Sequence, residues 1–283
     1  MKSLILISLL VVAASEPIKI TTLYKYHETI GIPAAARIKQ AEEALDFDGS
    51  RIIGGNPSNL GNNPHLGGLV ILLTDGRTSA CGSSLLSNTK AVTAAHCWTD
   101  GNVQARQFTV VLGTVRLFSG GVRVTTTNVV MHPQWNPSTT FGDVAMITMS
   151  HVNYNNYIQP IALASGSNNY VGSWAVAAGY GTTSDRETTV PQDTIQREVN
   201  LRVISNSECQ RTFWMVSNSH LCVATQSGST CRGDSGGPLA FGTGNGRVLI
   251  GITSFGHILG CQRGFPVVFS RVTTFNSWIR GRL

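Results

Sequence analysis

The chain has 283 residues, 42% hydrophobic and only 13% charged, with a formal net charge of +6 at pH 7. This leaves room for one large domain or two small ones around a substantial core, and the low charge density excludes a disordered chain. Thirty Gly without a fixed period exclude fibrous and low-complexity classes, and basic residues scattered with no run of three exclude a nucleic-acid surface.

Residues 1–15 read as a secretory signal: Lys2 supplies the positive start, 4–12 form an apolar run too short to span a bilayer, and Ala13-Ala14-Ser15 supplies small residues for cleavage. Residues 1–15 thus imply a secreted, extracellular protein with no membrane partner. Six Cys (Cys81, Cys97, Cys209, Cys222, Cys231, Cys261) fit an oxidising compartment and imply three disulfides, for which spacing alone allows 15 pairings. Residues 16–51 contain no Cys and no Trp and carry six acids against five bases. Within them 36–46 show a weak helical pattern, and Asp48-Gly49-Ser50-Arg51 is a polar, turn-like stretch open to proteases.

From Ile52 onward the texture is β. Short apolar runs at 68–73, 108–112, 122–130, 144–149, 174–178, 248–253 and 267–272 alternate with turn-forming clusters, which predicts an antiparallel barrel or sandwich. Only 273–281 look helical, with Trp278 and Ile279 placed to pack on the body. Beyond Arg51 the bases are fourteen Arg and Lys90 alone, against nine acids. Arg keeps its charge at high pH, so this composition suits an alkaline medium.

Three motifs in order carry chemistry: Thr93-Ala94-Ala95-His96-Cys97, Phe141-Gly142-Asp143-Val144-Ala145 and Gly233-Asp234-Ser235-Gly236-Gly237-Pro238. A Ser hydroxyl is a poor nucleophile until a neighbouring base takes its proton, a neutral imidazole suits that base, and a carboxylate fixes its tautomer. Each motif alone has an ordinary structural reading. With Arg51-Ile52-Ile53-Gly54-Gly55 at the edge of the β region, residues 52–283 resemble a chymotrypsin-like serine endopeptidase of the trypsin/chymotrypsin superfamily, and the whole chain resembles its secreted zymogen. The order His, Asp, Ser matches that family rather than subtilisins or α/β-hydrolases.

The resemblance implies an all-β fold of two six-stranded antiparallel barrels, about 52–158 and 159–283, with a C-terminal helix and a catalytic cleft between the barrels. It makes Ser235 the nucleophile, His96 the base and Asp143 its orienting acid. The N–H groups of Gly233 and Ser235 form the oxyanion hole. Cleavage after Arg51 by a trypsin-like protease frees Ile52, whose ammonium pairs with Asp234; until then the oxyanion loop is expected to be poorly ordered. Family spacing pairs Cys81 with Cys97, Cys209 with Cys222 and Cys231 with Cys261. No Cys is left to hold 16–51, so this prosegment is expected to be loosely attached and to leave.

For specificity, the resemblance puts Ser229 at the pocket base, uncharged and so unsuited to basic side chains. Ser254-Phe255-Gly256 forms the wall that meets the substrate strand, and Ser254 also supports Asp143. Val267 departs from the Gly usual after Pro266. It makes the pocket shallower, favouring Leu, Met or smaller residues over Trp or Tyr; a one-residue slip that turns Val267 elsewhere is the alternative. No cofactor or metal is expected: no acid lies between Asp100 and Asp143 to serve a calcium loop, and the remaining His lack ligand spacing. The composition and Gly260-Cys261-Gln262-Arg263-Gly264 resemble digestive chymotrypsins of insect gut, especially lepidopteran ones. The chain is expected to be a monomer acting on proteins or peptides and meeting protein inhibitors. Its rivals are a catalytically silent homologue acting as a binding cofactor and an immune-cascade protease.

Overall fold

The computed structural model describes residues 25–48, 59–182, 185 and 195–283. The signal stretch, Arg51 and Ile52 lie outside them. A single π-helical turn, His27–Gly31, leads into α1 (Ile32–Asp48), whose start precedes the weak pattern seen at 36–46. Pro33 is harmless there, because the first turn needs no N–H from it.

The first sheet contains β1 (Leu66–Leu73), β2 (Thr78–Ser87), β3 (Lys90–Thr93), β4 (Ala105–Leu112), β5 (Val122–Thr126), β6 (Val129–Met131) and β7 (Ala145–Thr148). Their spatial order is β5-β4-β1-β2-β3-β7-β6. The 122–130 run is therefore two strands rather than one. It breaks at Thr127 and Asn128, where the chain turns the corner that joins the sheet's two edges and curls it. Thr126 Oγ1 and Thr148 N–H anchor that corner, donating to Thr148 O at 2.6 Å and Asn128 O at 2.9 Å.

The second sheet contains β8 (Ala162–Leu163), β9 (Trp174–Gly179), β10 (Arg197–Ile204), β11 (His220–Ala224), β12 (Pro238–Phe241), β13 (Val248–Phe255) and β14 (Val267–Arg271). Its order is β12-β9-β10-β11-β14-β13-β8, and β12 also pairs with β13. Six strands thus close into a ring, and β8 adds a short parallel seventh against β13. Each sheet holds seven strands rather than six. The α2 turn (Asn206–Cys209) is capped by Ser205, which accepts the Glu208 N–H. C-terminal α3 (Val272–Arg280) buries Val272, Phe275 and Ile279, one helical stripe.

One continuous core of aliphatic side chains runs through both sheets. Disulfides join Cys81–Cys97, Cys209–Cys222 and Cys231–Cys261. Such bridges typically contribute about 2–4 kcal/mol each.

The N-terminal helix is not loose. Gly31, Ala34, Ala35, Ile38, Ala41 and Glu42 are all buried, a spacing of three and four that marks one face of a helix. That face packs against β2 and against Leu117, Val111 and Tyr180. Glu42 accepts N–H bonds from Leu117 at 2.5 Å and Phe118 at 2.9 Å, and a bond from the Ser119 hydroxyl at 3.2 Å. Burial pushes its carboxyl above the ordinary range against those bonds. Attachment needs no cysteine, because small residues let the helix approach closely and one carboxylate satisfies a turn of backbone donors.

Candidate active site

His96 sits in the single 3-10 turn Ala95–Cys97 that follows β3, and the Cys81–Cys97 bridge fastens this turn to β2. Asp143 precedes β7. Its carboxylate accepts the His96 backbone N–H at 2.9 Å through Oδ1, and its Oδ2 lies 2.8 Å from His96 Nδ1. Oδ2 also accepts the Ser254 hydroxyl at 2.6 Å, and the Asp143 carbonyl accepts Ser270 Oγ at 2.9 Å. All four residues are buried. Ser254 and Ser270 belong to β13 and β14, so the second sheet holds a carboxylate that the first sheet presents. Ser254 was foreseen in this role. Ser270 was not, and a lone Ser in a strand gives no signal of it.

Nδ1 is thus engaged, and His96 Nε2 is buried with no hydrogen-bond partner. Ser235 lies in the loop before β12, against β2 and the Cys97 end of the His96 turn. The Gly82 N–H donates to Ser235 O at 2.7 Å, and Cys97 Sγ is 3.7 Å from that oxygen. Gly82 must be Gly here, since a Cβ would fall 2.8 Å from Gly237 Cα. The close glycine contact brings the Ser235 loop of the second sheet onto β2 of the first.

Residues 231–237, where the oxyanion glycine was expected, form a hydrogen-bonded turn. Asp234 N–H donates to Cys231 O at 3.1 Å, and Gly237 N–H to Asp234 O at 2.9 Å. Gly233 has φ +101°, where a side chain would be strained. The Thr182 N–H holds Arg232 O at 2.9 Å. In a trans peptide the Gly233 N–H then points away from Thr182. Among the described residues, no acceptor occupies the N–H of Gly233 or of Ser235. Asp234 turns its carboxylate inward to the N–H groups of Gly181 and Cys231, at 2.8 and 2.9 Å. Part of the residue is still open to solvent, yet the carboxyl is ringed by protein, and desolvation raises its pKa to about 6 against those two bonds.

A cavity of about 270 Å³ opens beside Ser235, bordered by Thr230, Ser254, Phe255, Gly256, Pro266 and Val267. Val267 faces Gly256, whose added Cβ would lie 4.0 Å from Val267 Cγ2. Ser229 is not among the lining residues; its hydroxyl donates to Thr230 O at 2.7 Å. Asp185, unmarked in the sequence, reaches the rim and accepts the Cys261 and Gln262 N–H groups at 2.8 and 2.9 Å. The two clusters of potential metal ligands among the described residues, Cys81–His96–Cys97 and Asp185–Cys231–Cys261, are each built on a disulfide, so their sulfurs are already spent.

A second surprise is Tyr26. Its ring meets the His96 imidazole edge-on with centroids 4.5 Å apart. Its hydroxyl donates to Ala80 O at 2.9 Å, and the Ser235 side chain lies within its reach. Burial pushes the phenol pKa well above its ordinary value, so it stays neutral.

Residues 52–279 match the family described as Trypsin. This chain belongs to the trypsin family. It is 39% identical to a Collagenase of Hypoderma lineatum over 236 residues, 81% of this chain and 86% of that one. It is 36% identical to Serine protease 1 of Drosophila melanogaster over 234 residues, 81% of this chain and 84% of that one. A solved structure of HL collagenase superposes with a TM-score of 0.72 at 36% identity, covering 82% of this chain and 98% of that chain. As a trypsin-family protein the chain is a serine endopeptidase, and its substrates are proteins. No described helix is long and apolar enough to cross a membrane.

Proposed function

We propose that the chain is a secreted zymogen, with signal 1–15 and prosegment 16–51, in which Ser235 attacks the scissile carbonyl while His96 Nε2 takes its proton. The observation that carries this is the bare Nε2: the imidazole is fixed by Asp143 through Nδ1 and its Nε2 is buried without a hydrogen-bond partner. Asp143 stabilises the imidazolium, and His96 returns the proton to the leaving amine. The free N–H groups of Gly233 and Ser235 receive the developing oxyanion; losing one such donor typically costs about 3 kcal/mol of barrier. Water then releases the acyl group from Ser235 with His96 as base again.

Activation is cleavage after Arg51 by a trypsin-like protease. Asp234 supports this reading, because an inward carboxyl held above its usual range by desolvation is stabilised by a cation, and the new Ile52 ammonium supplies one. Specificity is for large to medium apolar side chains, chymotrypsin-like to elastase-like, with Val267 in the pocket lining favouring Leu, Met or smaller residues. The testing experiment is limited tryptic activation followed by peptide substrates with Phe, Leu, Ala or Arg before the cut, beside a Ser235→Ala control. Turnover after Leu that needs both the cut and Ser235 is expected. No turnover from a chain cleanly cut at Arg51 and freed of residues 16–51 would overturn the reading in favour of a silent homologue.

A further inference from the structure

We propose that the segment carrying Tyr26 and α1 is a reversible inhibitor of this enzyme, which stays seated in the catalytic cleft after its covalent link is cut and must dissociate before substrate enters. The inference rests on the zymogen reading above only for where the chain is cut. Its own basis is the set of contacts across the cleft. Tyr26 packs its ring edge-on against the His96 imidazole and its hydroxyl reaches Ser235, so one side chain touches both. Thr29 and Ile30 border the acyl cavity. Ala34 and Ile38 lie over Gly233: an added Cβ there would be 3.4 Å from Ala34 Cβ and 3.8 Å from Ile38 Cδ1. One segment thus lies against base, nucleophile, acyl pocket and oxyanion glycine together.

The attachment is built to hold and to release. The His27 N–H donates to Asp100 Oδ2 at 2.8 Å, and His27 Nδ1 lies 2.9 Å from Ser79 Oγ. Asp100 Oδ1 is meanwhile occupied by the Asn102 and Val103 N–H groups at 2.8 and 2.7 Å, so the free oxygen of a preformed turn receives the segment. Tyr26 and Ile38 are the large apolar anchors, and Glu42 caps the 117–119 turn. No disulfide crosses the boundary; every contact is non-covalent and reversible. The segment also avoids being hydrolysed, because it meets Ser235 with a ring and α1 packs beyond it as closed helix, whose backbone is hydrogen-bonded to itself.

The test has two arms. In the first, the full chain carrying Ser235→Ala is cut after Arg51 by limited tryptic digestion and passed over gel filtration. The N-terminal fragment is expected to co-elute, and to be lost when Tyr26→Ala and Ile38→Ala are added. In the second, the fragment released from cut wild-type chain is purified and added back to activated enzyme with a small peptide substrate. Competitive inhibition is expected, weakened at least tenfold by Tyr26→Ala and unchanged by Lys39→Gln, a residue on the exposed face. Separation on filtration together with no inhibition by excess fragment overturns the proposal, as does co-elution without inhibition. Failure of the zymogen reading looks different: an uncut chain as active as the cut one, or a cut chain inert after the fragment is gone, while the first arm still reports binding.

Discussion

The two sides of Ser235 are built from different materials. The cavity side is walled by strands β13 and β14 and by the Cys231–Cys261 loop, with Val267 in its lining. The opposite side is covered by a helix whose buried face is three Ala, one Ile and one Glu beyond Gly31. The first wall is permanent and, in the proposed function, discriminates between substrates. The second is a removable cover, and its small residues allow close packing without the bulk that would make it irreversible. The lesson is that shape selectivity and occupancy control can lie within a few ångströms of one serine and answer to separate residues.

Several measurements can break that separation. Ser235→Ala should lower kcat by about 10⁴-fold or more while leaving fragment binding nearly intact, read by steady-state kinetics and gel filtration on the same protein. Equal loss of both would merge the two sides. Ile38→Ala in the fragment empties a fully buried site and should weaken inhibition by roughly thirtyfold, with the enzyme's own kcat/KM unmoved. Val267→Gly should shift the preference from Leu toward Phe by roughly tenfold in kcat/KM ratio without changing the inhibition constant.

The smallest effect concerns pH. His27 is wholly buried, and desolvation lowers its pKa to about 4 against the pull of Asp100 and Asp75, with His96 and Arg77 adding to the lowering and Ser79 bonded at Nδ1. The seated segment therefore favours neutral imidazole. Its binding is full above the free value of 6.5 and is lost as pH falls toward about 4. Inhibition should weaken severalfold between pH 7.5 and 5 and become flatter in a His27→Gln fragment. Glu42, held above its ordinary range, works in the opposite direction, so the paired profiles, not either alone, carry the result.

Much of the candidate site was legible because the motifs around His96, Asp143 and Ser235 stand out in order, and the structure pairs His96 with Asp143. The C-terminal helix and most apolar strands were also readable from their periodicity. Strand β2 was not, because TSACGSSLLS buries small polar residues where a strand pattern calls for large apolar ones. Strand β10 was missed because polar residues interrupt its apolar run, and β11 because its apolar run is only the four residues 221–224. The 16–51 segment was expected to be loose since anchorage was sought in cysteines, whereas an alanine stripe binds through proximity. Tyr26 lies in a short stretch beside Tyr24 and His27, and no local spacing links it to a histidine seventy residues away.

The bonds from Ser254 and Ser270 to Asp143 have one further consequence. Asp143, which holds His96 Nδ1, is also a fastening between the two sheets, and the Gly82–Ser235 bond is another. A molecule whose halves begin to part therefore misaligns its histidine and withdraws its serine in the same motion. Damage by heat or nicking is expressed as silence, and partly unfolded copies do not become cutters of their intact neighbours.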